Sequence, residues 1–159
     1  MAHGPFSLLT KAFGSALGTG YSPFASGTVA SALAAVIYLI PGCENILFLF
    51  PLTIVSFALG VPAARAMEKE YGHDPAEVTI DEVVGMWISL LFLPKSIPVL
   101  TLAFLLFRTF DIVKPYPARK FDAMHGGLGI MLDDVVAGLY ANLLLQFLLV
   151  FELFRKILL

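Results

Sequence analysis

Charge is scarce in this chain and cysteine is almost absent. Only 14% of the 159 residues are Asp, Glu, Lys or Arg, against about a quarter in soluble domains, so the chain lacks the means to coat itself with a water-soluble surface. The single cysteine, Cys43, excludes an internal disulfide, and with no histidine or second cysteine nearby it reads as a loop residue rather than a metal ligand. A net charge of −2 excludes the basic footprint expected of a nucleic-acid partner. The N-terminal run MAHGPFSLLTKAFG lacks a basic stretch leading into a long apolar core. It therefore reads as a short amphipathic helix at a membrane surface, not as a cleaved signal. What is abundant is apolar sequence: 58% hydrophobic residues and a mean hydropathy of +0.87 define an integral membrane protein, with residues 1–159 forming one compact all-α bundle.

Five apolar segments follow one another, Thr28 to Ile40, Ile46 to Ala64, Val83 to Leu93, Ile97 to Phe107 and Ile130 to Phe154. A straight span needs about 20 apolar residues, which the second and last supply. The others reach helical length by recruiting flanking polar residues, the third back to Thr79 and the fourth on to Asp111. The expected bundle thus has four or five spanning or half-spanning helices. Pro41-Gly42 stops the first, Pro94 and Pro98 bracket a tight hairpin, and Pro115 with Pro117 ends the fourth. Lys11, Arg65, Lys69, Arg108, Lys114, Arg119 and Lys120 fall on one side and Lys95 on the other, which turns the first side to the cytoplasm. Arg155 and Lys156 break the pattern if every segment crosses, so the last crossing is the weakest part of the topology.

This topology gathers three polar segments, Gly18 to Thr28, Arg65 to Glu82 and Arg108 to Asp134, at one membrane face. Asp81 and Glu82 open the third helix, Asp111 closes the fourth, and Asp133 and Asp134 open the fifth. Capping and helix-dipole complementarity explain the acids at helix starts one by one. They do not explain two adjacent pairs together with Asp111 at an unfavourable C-terminal end. Helical spacing puts Asp134 above Gly138, Asn142 and Gln146, and Asp133 above Ala137, Tyr140 and Leu144, so Asp134 is the better inward-facing candidate. Asp81 likewise heads the more polar stripe of its pair, and Glu82 has the longer reach. Carboxylates with little His or Cys nearby select a hard cation, most simply Mg²⁺. The metal set is Asp81, Glu82, Asp133 and Asp134.

Arg108 and Lys114 flank Asp111 and supply a bidentate grip and a point charge for a phosphate; the plain alternative is an Arg108–Asp111 ion pair with Lys114 at the headgroups. His125 is a candidate proton donor near neutral pH. The Gly18–Thr28 loop opens a helix whose free N–H groups suit an anion, with Ser26 and Thr28 as hydroxyl donors or as simple caps. It has no Gly-Lys-Ser/Thr ending and so is not a nucleotide P-loop.

These residues carry a resemblance. Gly18-Thr19-Gly20 through Pro23 to Gly27-Thr28, Ile80-Asp81-Glu82-Val83-Val84-Gly85, Arg108 to Pro117, and Gly127-Leu128-Gly129-Ile130-Met131-Leu132-Asp133-Asp134 recur in that order in the phosphatidylglycerophosphatase A family, which the chain resembles over most of its length. The resemblance implies Mg²⁺-dependent removal of the terminal phosphate of phosphatidylglycerol phosphate during phospholipid synthesis. It also implies a multi-pass protein of the bacterial inner membrane. The partner is a phospholipid in the bilayer, and the site faces the cytoplasm. The residues fit such a hydrolase, with Asp81, Glu82, Asp111, Asp134 and His125 catalytic and Arg108, Lys114, Ser26 and Thr28 on the phosphate. No serine or cysteine has an adjacent base, so direct attack by water is preferred to a phosphoenzyme. Cys43 lacks a C-x5-R setting, and no D-x-D nucleophile motif is present. The alternatives are another lipid-phosphate enzyme, of the phosphatidic-acid phosphatase or CDP-alcohol phosphotransferase type, and a cation transporter. The D-x2-D-G-x2-A-R pattern of the transferases is absent, and the middle of every segment lacks the ionisable residues of a relay.

Overall fold

The computed structural model describes residues 5–159, and among them every regular element is helical. The helices are α1 (Pro5–Gly14), α2 (Ser26–Leu39), α3 (Ile46–Tyr71), α4 (Ile80–Leu90), α5 (Ile97–Val113), α6 (Ala118–Asp122), α7 (Gly127–Val150) and α8 (Glu152–Leu158). The N-terminal helix expected from the sequence is present over Pro5–Gly14, and residues 1–4 of the expected run lie outside the described part of the chain.

The breaks fall where the prolines and glycines put them. α2 stops before Pro41-Gly42, with Gly42 at φ 94°. α3 starts on Asn45, whose side chain accepts from Leu47 N at 2.9 Å, an ordinary N-cap. It continues past the expected Ala64 to Tyr71, because Arg65 to Tyr71 contains good helix formers and nothing that breaks a helix before Gly72, at φ 107°. α5 starts on Ser96, which accepts from Val99 N at 3.2 Å, and ends at Lys114 in the left-handed region. α6 was not expected: a single turn after Pro117 fills the connection before α7.

Of these elements, α3 and α7 are long and apolar enough to cross a membrane, and α2 is a shorter apolar helix. α4 is the centre of the bundle. It has 11 residues, about 16 Å of helix against the roughly 30 Å of a hydrocarbon core, and all of them except Glu82 are buried. A helix that ends inside an apolar bundle leaves carbonyls that no water can reach. Asn142 of α7 meets this need, donating from Nδ2 to Leu91 O at 2.8 Å and to Ser89 O at 3.2 Å, and Gln146 holds Asn142 Oδ1 at 2.6 Å. The small residues of the same stripe set the spacing. Gly138 packs on the backbone carbonyl of Gly85, where a Cβ would overlap, and Phe107 of α5 covers Gly85 from the other side. Trp87 ties α4 to α2 by donating to Ala34 O at 3.1 Å.

α7 runs the height of the bundle, from the acid-bearing end to the end where α5 begins. There α8 closes the chain, with Ser96 Oγ donating to Leu158 O at 2.6 Å. Arg155 and Lys156 therefore lie at the Lys95 end, as a full-length last segment requires. Lys95 itself donates to Leu39 O at 3.0 Å and pairs with Glu44 at 3.1 Å.

Candidate active site

Four helix ends converge on one pocket. The starts of α2 and α4, the second turn of α7 and the end of α5 enclose about 320 Å³, with residues 74–76 and Val78 closing one side. Asp133 and Asp134, expected to open their helix, stand one turn inside it because Gly127 to Ile130 are already helical. α4 is aimed by its entry: Thr79 N donates to Gly14 O at 2.9 Å, and the Thr79 hydroxyl bonds that of Thr19 at 2.9 Å. Gly20 packs directly on the backbone of Glu77, where a Cβ would collide. The Gly18–Thr28 segment thus serves to bring the α2 and α4 starts together. Gly27 then lies against Glu82, where a methyl group would overlap Oε1 and come within 3.0 Å of Arg108 Nη1.

Ligand oxygens of Asp81, Glu82 and Asp134 all lie within 4.8 Å of one another. Asp81 and Asp134 are buried. Asp81 Oδ1, Glu82 Oε2, Asp134 Oδ1 and Asp133 Oδ1 are all buried without a hydrogen-bond partner. Buried carboxylates in a protein interior are normally paired or bound to a cation. An all-oxygen set of this kind fits a hard divalent ion such as Mg²⁺ or Ca²⁺, not a soft one.

Beside the acids stands Arg108. Its Nη1 is 2.7 Å from Asp111 Oδ2, but the pair is not aligned as a hydrogen bond, and both Nε and Nη1 are buried with no acceptor. The fork is therefore oriented by Asp111 while keeping donors for another anion, the geometry that suits a phosphate. Lys114 also lines the pocket, but it is held by Asp122 and by Asp133 Oδ2, the latter at 2.7 Å. Burial acts to lower its pKa, yet its bonds to those two carboxylates outweigh this and hold it above the usual lysine value.

The sequence-predicted residues separate accordingly. Asp81, Glu82, Asp111, Asp133, Asp134, Arg108, Lys114 and Ser26 all line the pocket. Asp134 stands in the three-carboxylate cluster, whereas Asp133 turns one oxygen to Lys114. Two residues lie elsewhere. Thr28 is one position past Gly27, on a part of the α2 turn that does not line the pocket. His125 is also absent from the lining, with its ring 4.3 Å from that of His73 and its Nδ1 3.7 Å from Glu68 Oε1. Sequence reasoning missed Asp74 in the lining and Asp122 on Lys114. It also missed the Glu68–His73–His125 cluster, whose members sit on three segments and follow no local spacing.

Together these features define a class: an all-helical protein with membrane-length helices and, at one end, a buried acidic pocket with an oriented arginine, an arrangement with groups for a cation and for an anion side by side. The family profile of phosphatidylglycerophosphatase A matches residues 12–149. Phosphatidylglycerophosphatase A of Escherichia coli is 38% identical over 148 residues, covering 90% of this chain and 83% of the relative. Its namesake in Haemophilus influenzae is 39% identical, covering 86% and 84%. A Bacteroides thetaiotaomicron protein, described as a candidate phosphatidylinositol-3-phosphatase, is 40% identical, covering 87% and 92%. No solved structure matches. The chain belongs to the phosphatidylglycerophosphatase A family and is a phosphatase.

Proposed function

We propose that this phosphatase hydrolyses the terminal phosphomonoester of phosphatidylglycerol phosphate, with Mg²⁺, giving phosphatidylglycerol and inorganic phosphate. It does so as a multi-pass unit of the bacterial inner membrane, with the pocket opening to the cytoplasm. The observation that carries the reading is that carboxylate oxygens of Asp81, Glu82 and Asp134, accepting no hydrogen bond, stand beside the Arg108 fork, which is ion-paired to Asp111 but donates no hydrogen bond from Nε or Nη1. The acids meet a cation and the arginine an anion, and a metal-bound phosphate supplies both.

Asp81, Glu82 and Asp134 are the residues that would hold the ion, which when bound supplies Lewis-acid polarisation of the phosphoryl group and a more acidic water. Arg108 binds the non-bridging oxygens with Nε and Nη1, and Asp111 keeps its fork pointed at them. The first turn of α2, at Ser26 and Gly27, offers backbone N–H groups to the same oxygens. Asp133, fixed through Oδ2 by Lys114, presents Oδ1 to orient the attacking water. The oxygen of that water bonds to phosphorus as the bond to the glycerol oxygen breaks, and the proton that the water gives up ends on the departing oxygen. The apolar faces of α3 and α7 keep the lipid tails in the bilayer while the headgroup enters the pocket.

The Bacteroides relative favours a second reading in which the same chemistry acts on a 3-phosphorylated inositol lipid. Phosphate release by detergent-purified protein from phosphatidylglycerol phosphate, phosphatidylinositol 3-phosphate and phosphatidic acid, each with Mg²⁺ and with a chelator, tests both. Mg²⁺-dependent release favouring the first lipid is expected. Preference for the inositol lipid replaces the substrate, and full activity in chelator removes the metal from the scheme.

A further inference from the structure

The pocket leaves one cluster of ligating side chains unused. Glu68 lies one turn before the end of α3, His73 directly follows the Gly72 that stops that helix, and His125 lies in the turn between α6 and α7. One ligand atom from each falls within 4.8 Å of the other two. His73 Nδ1 is 2.9 Å and His125 Nδ1 3.7 Å from Glu68 Oε1. In a tetrahedral zinc site, ligand atoms about 2.0–2.2 Å from the metal stand about 3.3–3.6 Å apart. The two measured edges bracket that separation and the third is under 4.8 Å, so rotations of two exposed rings bring three corners to one ion.

The surroundings are those of a ligand set. Gly126 N donates to Glu68 Oε2 at 2.8 Å, which fixes the carboxylate and leaves Oε1 toward the imidazoles, as outer-shell bonds do in metal sites. Glu68 is largely covered at 12% side-chain exposure, whereas His125 is 81% exposed, so the fourth corner opens to water. Two imidazoles and one carboxylate suit a borderline transition ion. The all-oxygen set of the pocket suits a hard one. The two clusters therefore divide the divalent ions between them by chemistry.

We infer that Glu68, His73 and His125 form a second metal site, of zinc class, that clamps the α3–α4 connection to the α6–α7 turn. The clamp joins the two segments that frame the pocket. Residues 72–79 carry Asp74 into its lining and lead to Asp81 and Glu82, and residues 123–126 lead into the helix of Asp133 and Asp134. The inference does not depend on which lipid is hydrolysed.

The test is titration of tag-free, full-length protein in detergent with Co²⁺, followed by its visible d–d absorption, in a millimolar excess of Mg²⁺, with Zn²⁺ as competitor. One equivalent of Co²⁺ is expected to bind and to be displaced by Zn²⁺. His73→Ala and His125→Ala are expected each to weaken binding tenfold or more, while Asp134→Asn leaves it unchanged. Both histidines are exposed, so these variants should fold, and His73→Gln and His125→Gln serve if either alanine variant does not. Affinity unchanged in both histidine variants overturns the site, as does binding that is lost in Asp134→Asn.

Discussion

The two ends of this bundle treat buried polar atoms in opposite ways. At the far end, where α4 stops and α5 begins, the carbonyls of Ser89 and Leu91 are met by Asn142, Asn142 by Gln146, and Leu158 O by Ser96. At the pocket end, oxygens of Asp81, Glu82, Asp133 and Asp134 and two nitrogens of Arg108 are buried with no hydrogen bond to another protein group, although Arg108 is ion-paired with Asp111. Like charges crowded at low dielectric oppose folding, and a buried polar group with no protein partner gains nothing from the fold itself, so the pocket end contributes less to stability than the far end. The far end carries the fold, and the pocket end draws on it to hold a site whose partners arrive with substrate.

The largest effect that tests this contrast is on turnover. Asp134→Asn keeps the shape but removes one charge from three mutually close acids. Phosphate release is expected to fall about a thousandfold, the scale seen when a transition-state electrostatic group is removed. The thermal midpoint of metal-free protein is expected to rise, because one acid has left a buried cluster of acids. Near-normal release from this variant would remove Asp134 from the site, and a falling midpoint would show that the acids stabilise the fold.

The complementary substitution at the far end acts on stability. Asn142→Ala leaves the carbonyls of Ser89 in α4 and of Leu91 just past its end without their side-chain donor and cuts the link to Gln146. The expected loss is about 1–3 kcal/mol, read as a lower midpoint in detergent, with release per folded molecule retained. A large drop in turnover at unchanged midpoint would mean that the far end takes part in the chemistry.

How much of this was legible in the sequence differs between the same two ends. Prolines, glycines and apolar runs located α2, α4, α5 and α7 to within a few residues, since they act locally. The spacing of Asp134, Gly138 and Asn142 pointed to a face packed on another helix, and α4 is what it meets. α3 was underestimated because its last turns are polar, and a membrane-length apolar run ends before its helix does. The acids of the pocket were legible because paired charges set against long apolar runs are anomalous on their own. Thr28 and His125 fall outside the pocket lining because one residue along a helix turn, or the path of a loop, redirects a side chain without changing any motif. Glu68 with His73 and His125 escaped notice for a related reason, since 52 residues separate the two histidines and only the folded loops unite them.

The smallest effect sharpens the comparison at its exposed edge. Glu44, between α2 and α3, has a carboxyl held below its ordinary value of 4.5, first by its own backbone N–H, then by the hydrogen bond from Lys95. A depressed acid stabilises the fold above its unfolded pKa, and that contribution is lost as pH falls through the folded one. Glu44→Gln is therefore expected to lower the midpoint slightly at neutral pH, and the difference from the parent should vanish when both are acidified below the carboxylate range. The pair is solvent-exposed, so salt should also reduce the difference. A difference that persists in acid would show that Glu44 acts through its contacts and not its charge. That outcome would place even the exposed polar groups of the far end with its neutral, satisfied network, and make charge a property of the pocket end alone.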